Sequence, residues 1–339
     1  MKLVTYVKSD EPGRNRIGVV IEERVIDLAA AQLWAQKLYG FPSFALPLEM
    51  MGLISSSEAL NYMAELIRII VQVGVGSFRD AHGQASFQEV ELPLNKIRLK
   101  PPITRPATLR DFYAFEEHVK TAYANRGSEI PPEWYKFPAF YFSNPGAILG
   151  PDDEIPRPRA SKALDYELEI ACVIGKSGLD IPVERAEEFI AGYMIMNDWS
   201  ARDIQREEMK LLLGPAKGKD FATSLGPYLV TKDEIEDIKV TRGEGGCLGS
   251  AYDLQMIARV NGIERSSGNW KNIYYTFSEM IARASAGTYL FPGDVIGSGT
   301  VGTGCLLELT RGSGPWLEPG DVVELEVERL GVLKNVIRR

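Results

Sequence analysis

Histidine is nearly absent: the 339 residues contain two, His82 and His118. A metal site built on several imidazoles is therefore excluded, and any metal must be held by carboxylates. Cysteine is scarce as well. Cys172, Cys247 and Cys305 are far apart and odd in number, which fits neither a disulfide framework nor a zinc knuckle and points to a reducing compartment. Long apolar runs are missing: the most apolar stretch, Leu66 to Val75, is interrupted by Arg68 and falls short of the roughly 18 residues a membrane span needs. The N-terminus alternates apolar and charged residues, without the h-region of a signal peptide. A cytoplasmic protein with no membrane partner is expected. Basic charge is in deficit, 38 Lys and Arg against 46 Asp and Glu for a net −8. That leaves no broad positive surface for a phosphate backbone, so nucleic acid is not an expected partner.

What the chain has in quantity is punctuation. Its 32 glycines and 20 prolines recur between short apolar runs, the pattern of many short strands joined by turns. Leu3-Thr5-Val7, Ile17-Val19-Ile21 and Val25-Ile26 read as two or three strands. A helix follows, with Ser55 and Glu58 as a capping box and Leu60, Met63, Ala64, Ile67 and Val71 on one face. Four prolines between Leu92 and Pro106 disfavour helix and set a domain boundary near residue 97. The organisation expected is a small β-rich N-terminal domain with one helix over 1–96 and a larger, mostly β domain over 97–339. In the second domain, strands are predicted over Leu168–Ile174, Tyr193–Met196, Tyr228–Thr231, Tyr252–Val260, Val295–Ser298, Cys305–Thr310 and Val322–Val327. Pro292-Gly293-Asp294 and Pro319-Gly320-Asp321 each launch a strand.

Three segments carry residues suited to chemistry. In Asp165-Tyr166-Glu167-Leu168-Glu169, a strand would align the three acids on one face. Two readings are open: a solvated strand face, or a row neutralised by a hard divalent cation, which prefers oxygen ligands. Asn197-Asp198-Trp199-Ser200-Ala201-Arg202-Asp203 ends a strand, with Ser200 and Asp203 able to cap the next helix. Asn197 and Asp198 either shape that turn or place Asp198 as a ligand. His118 follows Asp111-Phe112-Tyr113, an acid and two aromatics suited to a pocket wall, whereas His82 lies among turn formers and reads as a surface loop residue.

Together these segments, with Leu213-Gly214-Pro215, Gly218-Lys219-Asp220-Phe221, Gly299-Thr300 and the two Pro-Gly-Asp turns, resemble the fumarylacetoacetate hydrolase family in order and spacing from about residue 100 to 339. The string from Asn197 to Gln205 is the most specific. The resemblance implies an α+β, predominantly β fold: a mixed β-sandwich or roll catalytic domain with a small N-terminal β-rich domain. It implies Mg2+ or Ca2+, with Mn2+ also suited to the ligands, held by Asp111, Glu167, Glu169 and Asp198. Asp165 falls outside that ligand set, and Thr223 is matched to a second cation site near Lys219. His118 is implied as general base on water, Glu308 as its orienting carboxylate and Lys219 as an oxyanion stabiliser. Taken by spacing alone, Glu308 would be an outward strand residue and Lys217 and Lys219 a solvated basic loop.

Substrate contacts map onto Tyr113, Tyr141, Arg202, Gln205 and Thr300. The implied reaction is hydrolysis of a carbon-carbon bond in a 1,3-diketo acid, fumarylacetoacetate or an acylpyruvate, with a metal-stabilised enolate as leaving group. Decarboxylation, tautomerisation or dehydration of a 2-keto acid through the same enolate is the alternative. A homodimer acting on a small molecule is implied as well. Two departures point away from fumarylacetoacetate itself: Met209 replaces a family tyrosine four residues after Gln205, and Tyr141-Phe142-Ser143-Asn144-Pro145 lacks the His-Gly-Arg that follows the matching tyrosine. In the shorter acylpyruvase-like members, a glutamate stands where this chain has Thr121.

Overall fold

The computed structural model describes residues 1–74, 90–242 and 248–338. His82 and Cys247, and the reading of His82 as a loop residue, lie outside them.

Among the described residues, twelve strands form one sheet. Its main path runs Glu91–Pro93, Arg24–Asp27, Glu11–Ile21, Lys2–Lys8, Thr223–Val230, Ile190–Asp198, Leu168–Ile174, Val295–Gly297, Leu109–Phe112 and Phe140–Ser143. The expected boundary near residue 97 therefore falls within a continuous sheet, where Lys2 pairs with Val230 and Leu3 with Leu229. A second, five-stranded sheet orders Ile263–Asn269, Gln255–Val260, Val322–Val327, Gly331–Ile337 and Glu154–Ile155.

The strand Leu168–Ile174 is buried at every position, which explains its nearly unbroken apolar run. Alternation still sorts its side chains. Leu168, Ile170, Cys172 and Ile174 enter the core shared with the five-stranded sheet. Ala171 and Val173 enter the opposite core, with Met194, Met196, Leu225 and the apolar faces of the N-terminal helices. Two sheets face each other and helices cover the outer side of the larger one, the α+β, predominantly β fold expected.

Four local readings are corrected. Cys305–Thr310 is not a strand: Leu306–Leu309 is one turn of helix, because the Asp165 carboxylate accepts the N–H groups of Leu306 and Leu307 at 2.8 and 3.0 Å and so caps it. A short apolar run does not distinguish the two forms. The helix Ser57–Val73 is capped by Ser56, not Ser55, and buries Ala59, Met63, Leu66 and Ile70, while Val71 is exposed. Its C-terminal half is apolar nearly all round, so periodicity admits two faces. Ser200 and Asp203 do not cap the helix Arg202–Glu208; the Ser200 hydroxyl donates to Asp198 O, and Asp203 accepts from Ser161 Oγ and the N–H of Lys162. The stretch Tyr252–Val260 is split into Gly249–Tyr252 and Gln255–Val260. Both Pro-Gly-Asp turns do launch strands, each closed by its aspartate accepting the N–H three residues back.

Candidate active site

Neighbouring strands deliver the acids to one end of the large sheet. Asp111 lies on Leu109–Phe112, paired with Gly297, and Glu169 pairs with Met196 one step from the Leu168 and Asn197 pair. Asp198 closes its strand opposite Thr223. These three, and Glu167 just before Leu168, are buried, so the reading of a solvated acidic face is excluded. Carboxylate oxygens of Asp111, Glu167 and Glu169 lie within 4.8 Å of one another. Asp198 stands beside this group, tied to Lys219 Nζ at 2.6 Å and to the Tyr141 hydroxyl.

Asp165 does not continue the row. It lies on Leu164–Asp165, which pairs with Ser200–Ala201 in a separate ribbon, and its carboxylate accepts from Arg202 Nε at 2.8 Å. Arg202 also reaches Glu167 Oε1 at 2.8 Å and donates to Gln205 Oε1 at 3.2 Å. Asn197, a turn residue by sequence, holds the backbone of Glu167 through its Oδ1, 2.9 Å from that N–H.

The electrostatics follow from burial. Desolvation, then the charge of Asp198, pushes the Asp111 carboxyl well above its ordinary range. Desolvation, then Asp111, does the same to Glu169. Burial would raise Glu167 too, but Lys219 and Arg202 outweigh it and hold that carboxyl below the usual range. Lys219 contacts Glu167 directly. Its own pKa is raised, because Asp198 and Glu167 overcome the desolvation that would lower it, so it is a buried cation.

His118, on the helix Glu116–Ala124, faces Glu308 Oε1 through Nδ1. The other Glu308 oxygen accepts the N–H of Thr303 at 3.0 Å. The Cys305 thiol, held protonated by burial, donates to Oε1 at 3.5 Å. Glu308 is thus buried and inward, not an outward strand residue. Tyr113 sets its ring at 83° to His118, centroids 5.3 Å apart, and the Thr300 hydroxyl donates to Glu169 Oε1 at 3.3 Å.

A cavity of about 330 Å³ is lined by Asp111, Glu167, Glu169, His118 and Lys219. Tyr113, Tyr141, Arg202, Gln205 and Thr300 also reach its wall. Asp198 and Glu308 stand behind that wall through their partners Lys219 and His118. Thr223 lies across the ladder from Asp198 with its hydroxyl 3.4 Å from Ser143 Oγ. Arg126, Tyr123 and Leu307 line the cavity too and escaped the sequence reading. Helical spacing offered a signal, since His118, Ala122 and Arg126 follow at four-residue steps.

Glu169 Oε2 and Asp198 Oδ1 are buried without a hydrogen-bond partner. Unpaired buried carboxylate oxygens beside other carboxylates are costly, and an oxygen-seeking divalent cation is the group that such a donor set fits.

A family model, Fumarylacetoacetate (FAA) hydrolase C-terminal, matches residues 107–338. The chain belongs to the fumarylacetoacetate hydrolase family. A fumarylacetoacetase of Oryza sativa subsp. japonica is 29% identical over 348 residues, covering 89% of this chain and 80% of its own. A mitochondrial oxaloacetate tautomerase of Homo sapiens is 33% identical over 250 residues, 73% of this chain and 71% of its own. Among solved structures, a maleylpyruvate hydrolase from Sphingobium sp. SYK-6 in complex with manganese(II) ion and pyruvate superposes with a TM-score of 0.66. It is 22% identical and covers 100% of this chain and 99% of its own. The fumarylacetoacetate hydrolase family thus spans hydrolase and tautomerase chemistry, and this chain is an enzyme of that family. Among the described residues no helix is long and apolar enough to cross a membrane.

Proposed function

We propose that the protein is a metal-dependent hydrolase of 1,3-diketo acids, cleaving the carbon-carbon bond between the two carbonyl-bearing parts. One observation carries this reading: the His118 and Glu308 pair opens onto the same cavity as the Asp111, Glu167 and Glu169 carboxylates and the Lys219 ammonium. Asp111, Glu167 and Glu169, with Asp198 beside them, would hold Mg2+, Ca2+ or Mn2+. The manganese(II) and pyruvate in the solved maleylpyruvate hydrolase support that assignment. Bound there, the cation would orient the keto-acid end of the substrate and polarise its oxygens.

The remaining steps belong to the chain's own side chains. Glu308 accepts the Nδ1 proton of His118 and fixes the tautomer, leaving Nε2 free to take a proton from water. The hydroxide so formed adds to the distal carbonyl carbon. Lys219 Nζ stabilises the resulting oxyanion, and so does the amide NH2 of Gln205, whose oxygen is already taken by Arg202. The carbon-carbon bond then breaks, its electron pair leaving with the keto-acid fragment. The proton held on His118 is delivered to that fragment, giving a carboxylic acid and a keto acid, a 2-keto acid where the substrate is an acylpyruvate.

The test is turnover of acetylpyruvate, fumarylpyruvate, fumarylacetoacetate and oxaloacetate with Mg2+, followed by loss of diketone absorbance and product identification. Cleavage of at least one diketo acid that is lost in His118→Ala is expected. Equal behaviour of wild type and His118→Ala on every diketo acid, or turnover confined to oxaloacetate, overturns the hydrolase reading; the latter would favour the decarboxylase or tautomerase alternative, the tautomerase being the activity named for the human relative.

A further inference from the structure

We propose that the cleft beyond Met209 is a binding site for a second, distal carboxylate of the substrate, held by Arg206 and Arg311 with Arg126 at its neck. The inference rests on the diketo acid reading and narrows it to dianionic substrates.

A second cavity, about 460 Å³, adjoins the first. The two share wall residues that include Arg126, Arg202, Gln205, Met209 and Leu307, so a ligand seated among the carboxylates has an open direction past Met209. Its walls carry Arg126, Arg206, Lys210 and Arg311 and no acidic residue. Lys210 is neutralised by Glu207, 2.7 Å away. Arg126, Arg206 and Arg311 are exposed, and among the described residues none of them has an ion-pair partner. The nearby acids are engaged elsewhere. Glu208 accepts the N–H groups of Ala216, Lys217 and Gly218, and Glu116 is paired with Lys120 at 2.9 Å.

The placement follows from proximity along the chain. Three separate elements each supply one residue at or behind the wall of the catalytic cavity and, a few positions further along the chain, an arginine of the cleft: His118 then Arg126, Arg202 then Arg206, and Glu308 then Arg311. Arg202 and Arg206 are four apart on the helix Arg202–Glu208 and share a face, while Arg126 and Arg311 lie just past the ends of Glu116–Ala124 and Leu306–Leu309, so the elements that assemble the catalytic group also carry the arginines of the cleft. Arg311 has its backbone in the left-handed region, φ 51°, a conformation that L residues rarely adopt. In a chain of net charge −8, three arginines without a carboxylate partner form a local field of opposite sign. A guanidinium pair is well matched to a carboxylate. The site therefore has an acidic end suited to a cation and a basic end suited to an anion. A molecule with a keto acid at one end and a carboxylate at the other complements both.

Non-cleavable ligands separate this from the reaction itself. Calorimetric titration of the protein in Mg2+ would compare 2-oxoglutarate, 2-oxoadipate and 2-oxopimelate with the 2-oxo monocarboxylates of equal chain length. For at least one length, the dicarboxylate is expected to bind tenfold or more tightly than its partner, and the preference is expected to vanish in the R206A/R311A double variant with its melting temperature unchanged. Equal binding within every pair in wild type, absence of binding by all, or a preference that survives in the double variant overturns the proposal. A protein that shows the preference and its loss yet cleaves no diketo acid would sustain the subsite and overturn the hydrolase reading alone.

Discussion

Gly297 stands opposite Asp111 in a parallel ladder, so close that a β-carbon at Gly297 would lie 2.5 Å from the Asp111 carboxylate. The missing side chain is what lets that carboxylate lie in the ligand group, where it also accepts the N–H of Gly299 at 3.2 Å. Gly297→Ala is expected to displace Asp111 and weaken Mg2+ or Mn2+ binding by tenfold or more, since the side-chain end can move while the strand stays. Calorimetric titration with the metal, beside a melting curve of the metal-free protein, checks it. Unchanged affinity would show that Asp111 is not a ligand.

The raised carboxyls of Asp111 and Glu169 make metal binding proton-linked. A group whose pKa is raised on folding stabilises the protein below its unfolded pKa, about 4 for a carboxyl, and that contribution is lost as pH rises through the folded value. Without metal, these two residues therefore favour the folded state less as pH rises. A cation displaces their protons. The gain in melting temperature on adding Mg2+ is expected to grow between about pH 5.5 and about pH 8, and titrations in buffers of different ionisation heat should show protons released. A gain independent of pH, with no release, contradicts the carboxylate assignment.

Glu308→Gln removes a charge while conserving shape. The buried carboxylate positions His118 through Nδ1, and an amide there leaves the tautomer undefined. A fall in kcat of about 100-fold or more is expected, with KM and the melting temperature little altered. Steady-state kinetics on whichever diketo acid is cleaved, with a melting curve, decides the matter.

Asp165 is a structural counterpart to these. Its carboxylate is buried, paired with Arg202 and accepting two backbone N–H groups. Asp165→Ala strands a buried guanidinium and uncaps the one-turn helix that carries Glu308. A loss of about 3–5 kcal/mol is expected in urea unfolding. A loss below about 1 kcal/mol would show that Arg202 finds sufficient compensation in Glu167.

Legibility in the sequence varied with the range of the interaction. Strands buried on one or both faces were readable because alternation and apolar runs are local, and Leu168–Ile174 and Val322–Val327 match residue for residue. Asp165 was not separable from Glu167 and Glu169 by period alone, since the chain changes ribbon between them and nothing in the residue types marks the change. Leu306–Leu309 depended on a cap supplied from 141 residues away, beyond any window of sequence. The residues proposed for the site came through resemblance, because Glu308 and Lys219 on spacing alone looked like ordinary surface. Arg126 lay at a helical step from His118 and was legible in principle.

The strand Thr223–Val230 has one end opposite Asp198 and the other beside Lys2–Lys8. A chain cut at residue 97 would lack that neighbour and leave Leu229 and Val230 on an open edge, with Leu225 parted from the N-terminal residues of its core cluster. Open, flat, apolar edges recruit other chains. The strand Lys2–Lys8 thus serves as a selvedge to the sheet that carries the acids.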